Sequence, residues 1–311
     1  MNTTKRRAAL AAVLGSVLAW CGAIGAGPSS AIPGGNALGE LAFGGLPRTY
    51  LVHAPAGNDH PAGLVINLHG SGASGAAQAA ITNYDPVADA LGFVVVYPDG
   101  IDQSWADGRG ASPADNEGVD DVGFLVALVD RLLRVYGINP GRVFATGISA
   151  GAFMANRLAC DRADVIAAIA PVAGTLGTGV PCNPSRAVSV LESHGTADPV
   201  VPYDGGTMLG LGGASDIVAA PAMASRWRDL DRCAGAPVED VLPSTGDGTA
   251  VHRVTAVGCA DGADVVLLRV DGGGHTWPSG SFALPTGSVG ATTDVFNASL
   301  GSAQFFAAHG R

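Results

Sequence analysis

Short apolar runs alternate with segments of helical periodicity along most of the chain. Residues 63–68 and 93–97 are nearly continuous apolar runs, a pattern typical of strands buried in a parallel sheet. Between them, residues 77–91 predict a helix. This repeated alternation predicts an α/β fold with a doubly wound, mostly parallel central sheet, helices on both faces and a functional site at the carboxyl ends of the strands.

The same patterns predict the remaining elements. Asp120 or Asp121 is expected to cap a helix that has one apolar face and ends at Gly137. Glycine-rich loops at 205–213 and 272–274 are expected to wall the site. The other predicted elements are strands at 49–53, 142–146, 187–191, 251–257 and 265–270, helices at 223–230 and 295–309, and a polar-rich insertion at 237–248.

The chain begins with the pattern of an export signal. Three basic residues at 5–7 precede an apolar run at 8–24, and small residues follow. We therefore assign 1–31 as a signal peptide, 32–46 as an N-terminal linker and 47–311 as a single catalytic domain. Export by the Sec route or the twin-arginine route, and a secreted location, are expected. A lipoprotein anchor at Cys21 is disfavoured because Trp20 before it is bulky.

The charge and the hydropathy limit the possible partners. Loss of the signal would change the net charge from −10 to −13, which argues against nucleic acid or anionic membranes as partners. No stretch after the signal is long and apolar enough to span a bilayer. A monomer is expected.

The cysteines of the exported chain favour disulfides. An even number remains after the signal, and of the possible pairings the two that close short local loops are favoured, with free buried thiols as the alternative. The predicted pairs are Cys160 with Cys182 and Cys233 with Cys259.

Residues 147–151, Gly-Ile-Ser-Ala-Gly, lie between an apolar strand and a small-residue helix. This is the setting of a nucleophile elbow, in which a sharp turn lifts the serine above the sheet edge and glycines permit close packing. Ser149 is therefore the candidate nucleophile. A serine hydroxyl needs a positioned base, and that base needs an acidic partner.

The chain supplies both partners in the order Ser, Asp, His. Asp198 lies in a proline-framed loop, and His275 follows a strand through a glycine-rich approach. We expect His275 to act as general base and Asp198 to fix its tautomer. The backbone N–H groups of Ala150 and Ser71 are the expected oxyanion donors, and Trp105 and Trp277 are candidate substrate-binding walls.

Several residues have alternative interpretations. His69 and His194 also end strands but are expected to hold turns, and Asp204 is expected to be a solvated loop acid. An acidic cluster lacks the spacing of a calcium loop, so no metal site is predicted. Its members are Asp107, Asp115, Glu117, Asp120 and Asp121.

Together these motifs resemble the exported esterases of the polyhydroxybutyrate depolymerase family, which includes feruloyl and acetylxylan esterases of carbohydrate esterase family 1. The resemblance implies an α/β-hydrolase fold, no cofactor and ester hydrolysis through an acyl-enzyme. At 150–152 the chain has Ala-Gly-Ala where the family commonly has Asn-Gly-Gly. The motifs that carry the resemblance are 68–70, 97–98, 121–124, 142–143, 147–151, 159–160, 194–198 and 274–278.

The expected function is hydrolysis of hydroxyalkanoate esters or oligomers, or of feruloyl or acetyl esters of plant polysaccharide. A serine peptidase of the prolyl oligopeptidase type shares the residue order, but this chain lacks room for a propeller domain. A catalytically silent cell-wall or carbohydrate-binding protein on a hydrolase scaffold is the alternative from another class.

Overall fold

The computed structural model describes residues 34–281 and 285–311, so the predicted signal peptide at 1–31 lies outside the described residues. Within them, ten strands form one sheet in the order β1-β2-β4-β3-β5-β6-β7-β12-β11-β10. The strands are β1 (Gly35–Phe43), β2 (Leu46–Ala54), β3 (Gly63–Leu68), β4 (Phe93–Pro98), β5 (Val143–Ile148), β6 (Ala168–Val172), β7 (Ser189–Gly195), β10 (Val238–Val241), β11 (Ala250–Ala256) and β12 (Val265–Asp271), with β8 (Gly206–Gly210) and β9 (Gly213–Ile217) forming a separate hairpin.

The centre of the sheet is parallel from β4 to β12, and β1, β2, β11 and β10 add antiparallel edges. Its central strands are fully buried because helices cover both faces. The predicted mostly parallel sheet is therefore confirmed. The helices are α1 (Gly75–Thr82), α2 (Asp85–Leu91), α3 (Pro113–Glu117), α4 (Asp121–Tyr136), α5 (Ala150–Asp161), α6 (Ala220–Leu230), α7 (Thr286–Val289) and α8 (Ala298–Ala308).

Two hydrophobic cores lie on opposite faces of the sheet. The larger one packs α4, α5 and α6 against the sheet, and it includes Leu128, Met154 and Trp227. The smaller one packs α2 and α8 against the other face, where the rings of Phe144 and Phe306 stack at 4.8 Å. The parallel strands all end at the same edge, so the loops that follow β3, β5, β7 and β12 are brought together there.

Two predictions of local structure were wrong. The single helix expected at 77–91 is two helices, because Asn83 adopts a left-handed conformation that ends α1, and α2 begins at Asp85 with Pro86 in its first turn. The expected linker at 32–46 contains β1, which pairs antiparallel with β2 along its whole length. Its exposed, glycine-rich sequence lacks the apolar run that marks the central strands.

The four cysteines of the described residues form two disulfides. Cys160 is bonded to Cys182 and Cys233 to Cys259, which are the pairings that short loops favour. The first connects the end of α5 to the loop before β7, and the second connects the segment after α6 to the segment before β12. Each disulfide therefore joins the end of a helix to the loop that precedes a strand of the sheet.

Asp231 is a buried acid at the end of α6. Its Oδ1 accepts a hydrogen bond from the Val188 N–H at 3.1 Å, while Oδ2 has no partner among the described residues. Burial raises the pKa of Asp231 from 3.8 to about 7. Between these values the native state binds more protons than the unfolded chain, so the free energy of unfolding falls as the pH rises from about 4 to about 7.

Replacement of Asp231 by Asn should remove this pH dependence while keeping an oxygen that accepts the Val188 N–H. A difference of about 3 in pKa corresponds to about 4 kcal/mol, so the variant should gain up to about that much stability over the wild type between pH 4 and pH 8. Urea unfolding at several pH values measures the gain. Asp229→Asn, an exposed neighbour, is the control, and a stability difference for Asp231→Asn that does not change with pH would contradict the assignment.

Candidate active site

Ser149 occupies a strained turn between β5 and α5. Its φ of 57° and ψ of −122° lie outside the regions that L-residues ordinarily adopt. A side chain at Gly147 or Gly151 would collide with the Leu68 carbonyl oxygen at the end of β3. The two glycines thus allow the turn to pack against the neighbouring strand, and this packing holds the half-buried serine at the sheet edge.

Asp198 and His275 lie in the loops after β7 and β12. Nδ1 of His275 is 2.8 Å from Oδ2 of Asp198, and Oδ1 of the same carboxylate accepts the N–H groups of Val200 and Val201, each at 2.8 Å. The Asp198 side chain has no solvent exposure, whereas the imidazole is one-tenth exposed. The carboxyl group of Asp198 is therefore held by three donors, with the proton of His275 on Nδ1, and Nε2 is the nitrogen left to accept a proton.

Backbone contacts join these loops to the serine turn. A side chain at Gly195 would collide with the Gly273 carbonyl, and that carbonyl accepts the Ala197 N–H. Ile148, directly before the serine, packs in the same hydrophobic cluster as Trp277, two residues after the histidine. The structure therefore brings together the three loops that carry Ser149, Asp198 and His275.

The loop after β3 passes beside the serine. A Cβ placed on Gly70 would lie 3.4 Å from Cβ of Ser149. The Gly72 N–H donates to the Gln103 carbonyl at 2.8 Å, which fixes the position of this loop. Ser71 is exposed, and Ala150 is the first residue of α5, where a backbone N–H has no partner within the helix.

His69 holds this loop in place and is not free to act as a base. The Gly100 N–H donates to Nε2 at 3.0 Å, so the proton of the ring is on Nδ1, which donates to the Gly70 carbonyl at 2.8 Å. Burial lowers the pKa of His69, which keeps the ring neutral. The expectation that this histidine holds a turn agrees with these contacts.

The two tryptophans that were expected to line the substrate site are both buried. Trp105 is fully buried and its indole N–H donates to the His69 carbonyl at 2.9 Å. Trp277 is 3% exposed and donates to Oγ of Ser299 at 3.1 Å. Both indole N–H groups therefore have hydrogen-bond partners inside the protein, and both rings pack beneath the loops at this edge of the sheet.

The acidic residues grouped in the sequence have separate structural roles. Asp107 forms an ion pair with Arg109, Asp115 accepts the N–H groups of Gly108 and Gly110, Asp120 caps α4, and Asp121 pairs with Arg48. Across residues 34–281 and 285–311, no three side chains of the His, Cys, Asp or Glu type are grouped to hold a metal ion. In this same part of the chain, no helix is long and apolar enough to cross a membrane.

The hairpin structure of the segment that follows Asp204 was not foreseen from the sequence. The β8–β9 hairpin packs Met208 and Ile217 against Phe153, one turn after the serine. The Arg109 guanidinium lies 3.7 Å from the centre of the Phe153 ring. The predicted glycine-rich loop at 205–213 contains this hairpin, and the only local signal was the Leu-Gly-Leu-Gly-Gly turn at 209–213.

Gln103 was also missed. It has a φ of 54°, next to Asp102 with a φ of 50°, and its carbonyl holds Gly72 in place. Positive φ at two consecutive residues other than glycine is uncommon and is often stabilised at functional sites. The Pro-Asp-Gly turn at 98–100, which follows β4 at the same edge of the sheet, was the available signal.

The same edge of the sheet thus carries a serine in a sharp strand-to-helix turn and an aspartate-bound histidine, an arrangement typical of serine hydrolases. Residues 48–224 match the model of the esterase PHB depolymerase family. Since the match covers more than half of the chain, the protein belongs to this family and is an esterase.

Relatives in sequence agree with this family. The chain is 32% identical over 265 residues to the putative esterase NocK of Nocardia uniformis subsp. tsuyamanensis, covering 81% of this chain and 77% of that protein. It is 30% identical over 247 residues to feruloyl esterase B of Piromyces equi, covering 73% of this chain but 42% of the relative. The chain thus spans less than half the length of that feruloyl esterase.

A solved structure shows the same fold. The acetyl xylan esterase from Aspergillus awamori aligns with a TM-score of 0.50 and 16% identity, covering 77% of this chain and 94% of the other. At this identity the likeness concerns the fold, which is that of an α/β-hydrolase. The fold class, the family and the esterase activity predicted from the sequence are confirmed.

Proposed function

We propose that the protein is a secreted serine esterase that hydrolyses carboxylic esters through an acyl-enzyme, with Ser149, His275 and Asp198 as its catalytic residues. Nε2 of His275 takes the proton of the Ser149 hydroxyl as its oxygen attacks the ester carbonyl. The same nitrogen then gives that proton to the leaving alcohol. Water then attacks the acyl-enzyme, with His275 again acting as base and then as acid, and the carboxylic acid is released.

The observation that carries this proposal is the Asp198–His275 contact at 2.8 Å beside the strained serine turn. The buried carboxylate fixes the proton on Nδ1 and stabilises the imidazolium that forms during attack. Without that contact the ring would be free to adopt the tautomer that cannot accept the serine proton.

The oxyanion of the tetrahedral intermediate needs donors that are positioned before the reaction. We propose the backbone N–H groups of Ala150 and Ser71. The neutral His69, Trp105 and the Gln103 carbonyl hold the Ser71 loop in place, which makes this loop a rigid support. Hydroxyl chemistry of Ser71 is not part of the mechanism.

The proposed substrates are feruloyl or acetyl esters of plant polysaccharide, or hydroxyalkanoate esters and oligomers. The relatives include proteins named feruloyl esterase and acetylxylan esterase, and the family model is named for polyhydroxybutyrate depolymerase. Two disulfides support a location outside the reducing cytoplasm.

A matched substrate panel tests this proposal. Methyl ferulate, an acetylated xylan oligomer, hydroxybutyrate oligomers and short p-nitrophenyl esters are compared, with Ser149→Ala as the blank. We expect hydrolysis of at least one class to exceed the blank by several orders of magnitude. If a folded wild-type protein hydrolyses none of them and Ser149 never reacts with a fluorophosphonate, the enzyme is silent and the proposal fails.

A further inference from the structure

Glu192 is the most unusual buried group in the described part of the chain. It lies within the parallel strand β7, its side chain is fully buried, and neither carboxyl oxygen has a hydrogen-bond partner among the described residues. Burial alone raises the pKa of Glu192 well above its ordinary value, since no charged neighbour contributes. A buried carboxyl without a charged or hydrogen-bonding neighbour favours its neutral form, which carries one O–H donor.

His194 projects from the same face of β7, because residues two apart on a strand point the same way. It is 2% exposed, and burial lowers its pKa. Nδ1 lies 3.1 Å from the Gly195 carbonyl oxygen, which can only accept a hydrogen bond, so the proton is on Nδ1. Nε2 consequently carries a lone pair, and within the described residues it too has no partner.

No described side chain around Glu192 and His194 forms a hydrogen bond with the carboxyl oxygens of Glu192 or with Nε2 of His194. On β12, Leu267 is opposite Glu192 and Arg269 is opposite His194, but the Arg269 side chain binds Asp271 and Glu239. The ring of Tyr203 contacts His194 edge-on, with 5.7 Å between centroids. Helix α6 presents the apolar side chains of Met223 and Trp227 to this face of the sheet.

We propose that Glu192 and His194 hold one buried water molecule between them and that this bridged pair positions Asp198. The acid O–H donates to the water, and the water donates to Nε2 of His194 and to the second carboxyl oxygen. This arrangement satisfies the three buried atoms that have no partner, and about three hydrogen bonds is the usual number for a buried water. Two strand residues of this spacing have Cα atoms about 6.7 Å apart, a separation that suits a single bridging water.

The connection to catalysis passes through Gly195 and rests on the proposed function. The Gly195 carbonyl accepts both Nδ1–H of His194 and the backbone N–H of Asp198, the latter at 3.4 Å. Gly195 also contacts the glycine turn that leads to His275. Fixing the His194 ring therefore fixes the start of the Asp198 loop, so Glu192 and His194 are positioning residues that do not touch substrate.

The test compares Glu192→Gln with Glu192→Leu, with Glu40→Gln, an exposed glutamate, as the control. Gln keeps a donor for the water and does not ionise, so its kcat should stay within about twofold of the wild type. Leu removes the donor, so kcat should fall about tenfold with KM unchanged. Recovery of kcat in Glu192→Gln, together with a native circular dichroism spectrum for Glu192→Leu, separates positioning from folding.

Two structural measurements complete the test. A high-resolution crystal structure of the wild type should show an ordered water between Glu192 and Nε2 of His194, and this water should be absent in Glu192→Leu. Infrared difference spectra between the wild type and Glu192→Gln should show the carbonyl stretch of a protonated carboxylic acid. If Glu192→Leu has the same kcat and pH profile as the wild type, or if no water lies between Glu192 and His194, the inference is wrong.

These outcomes are distinct from failure of the proposed function. If the wild type neither hydrolyses esters nor reacts with a fluorophosphonate at Ser149, the proposed function is wrong. The crystallographic and infrared results would still decide whether the Glu192–water–His194 pair exists.

Discussion

Replacement of Ser149 by Ala should lower kcat by five to six orders of magnitude, to a residual rate supplied by binding and the oxyanion donors, as is typical when the nucleophile of a catalytic triad is removed. The reason is that Ser149 is the residue whose hydroxyl the turn between β5 and α5 places at the sheet edge, and alanine has no hydroxyl to replace it. The measurement is kcat with the best ester of the panel, under single-turnover conditions if the rate is very low.

Ser71→Ala is the matched control. It removes an exposed hydroxyl from the neighbouring loop but keeps the backbone N–H that we propose as an oxyanion donor, so its kcat should remain within a few-fold of the wild type. A Ser149→Ala enzyme that retains a tenth of wild-type activity would mean that another group attacks the ester.

Replacement of Asp198 by Asn should lower kcat by about 10⁴-fold with little change in KM. The amide oxygen can still accept the N–H groups of Val200 and Val201, so the loop should keep its conformation. The amide N–H₂ then faces Nδ1 of His275 and forces the ring into the tautomer with its proton on Nε2. That nitrogen can no longer accept the serine proton.

Asp204→Asn is the control for this change, because Asp204 is exposed in the same loop and forms no part of the proposed site. Its kcat should equal that of the wild type. If Asp198→Asn and Asp204→Asn are equally active, Asp198 does not orient the base, and another acid must be sought.

The elements that could be predicted from the sequence are those with strong local signals. Residues 63–68 form a strand with the predicted bounds because a continuous apolar run in an α/β chain has few alternatives. The turn at Ser149 was expected from the Gly-Ile-Ser-Ala-Gly pattern between a strand and a helix, and the structure shows that both glycines lie against Leu68. Asp198 and His275 stood out because each lies in a glycine- or proline-framed loop after a strand.

The features that were missed depend on tertiary contacts. From the sequence, Trp105 and Trp277 could line the site or pack in the interior. The buried hydrogen-bond partners of their indole N–H groups show that they pack in the interior. Strand β7 was expected at 187–191 but runs from 189 to 195. That shift places Glu192 inside the sheet, where a sequence pattern does not anticipate an acid.

The central claim is that Ser149 becomes acylated during turnover. Rapid acid quench of the enzyme with its best ester, followed by intact-protein and peptide mass spectrometry, tests it directly. We expect one acyl group per chain, on the peptide that contains Ser149, at levels that build up before steady state and are absent in Ser149→Ala. Turnover with an acyl group on another residue, or with the same label in Ser149→Ala, would contradict it.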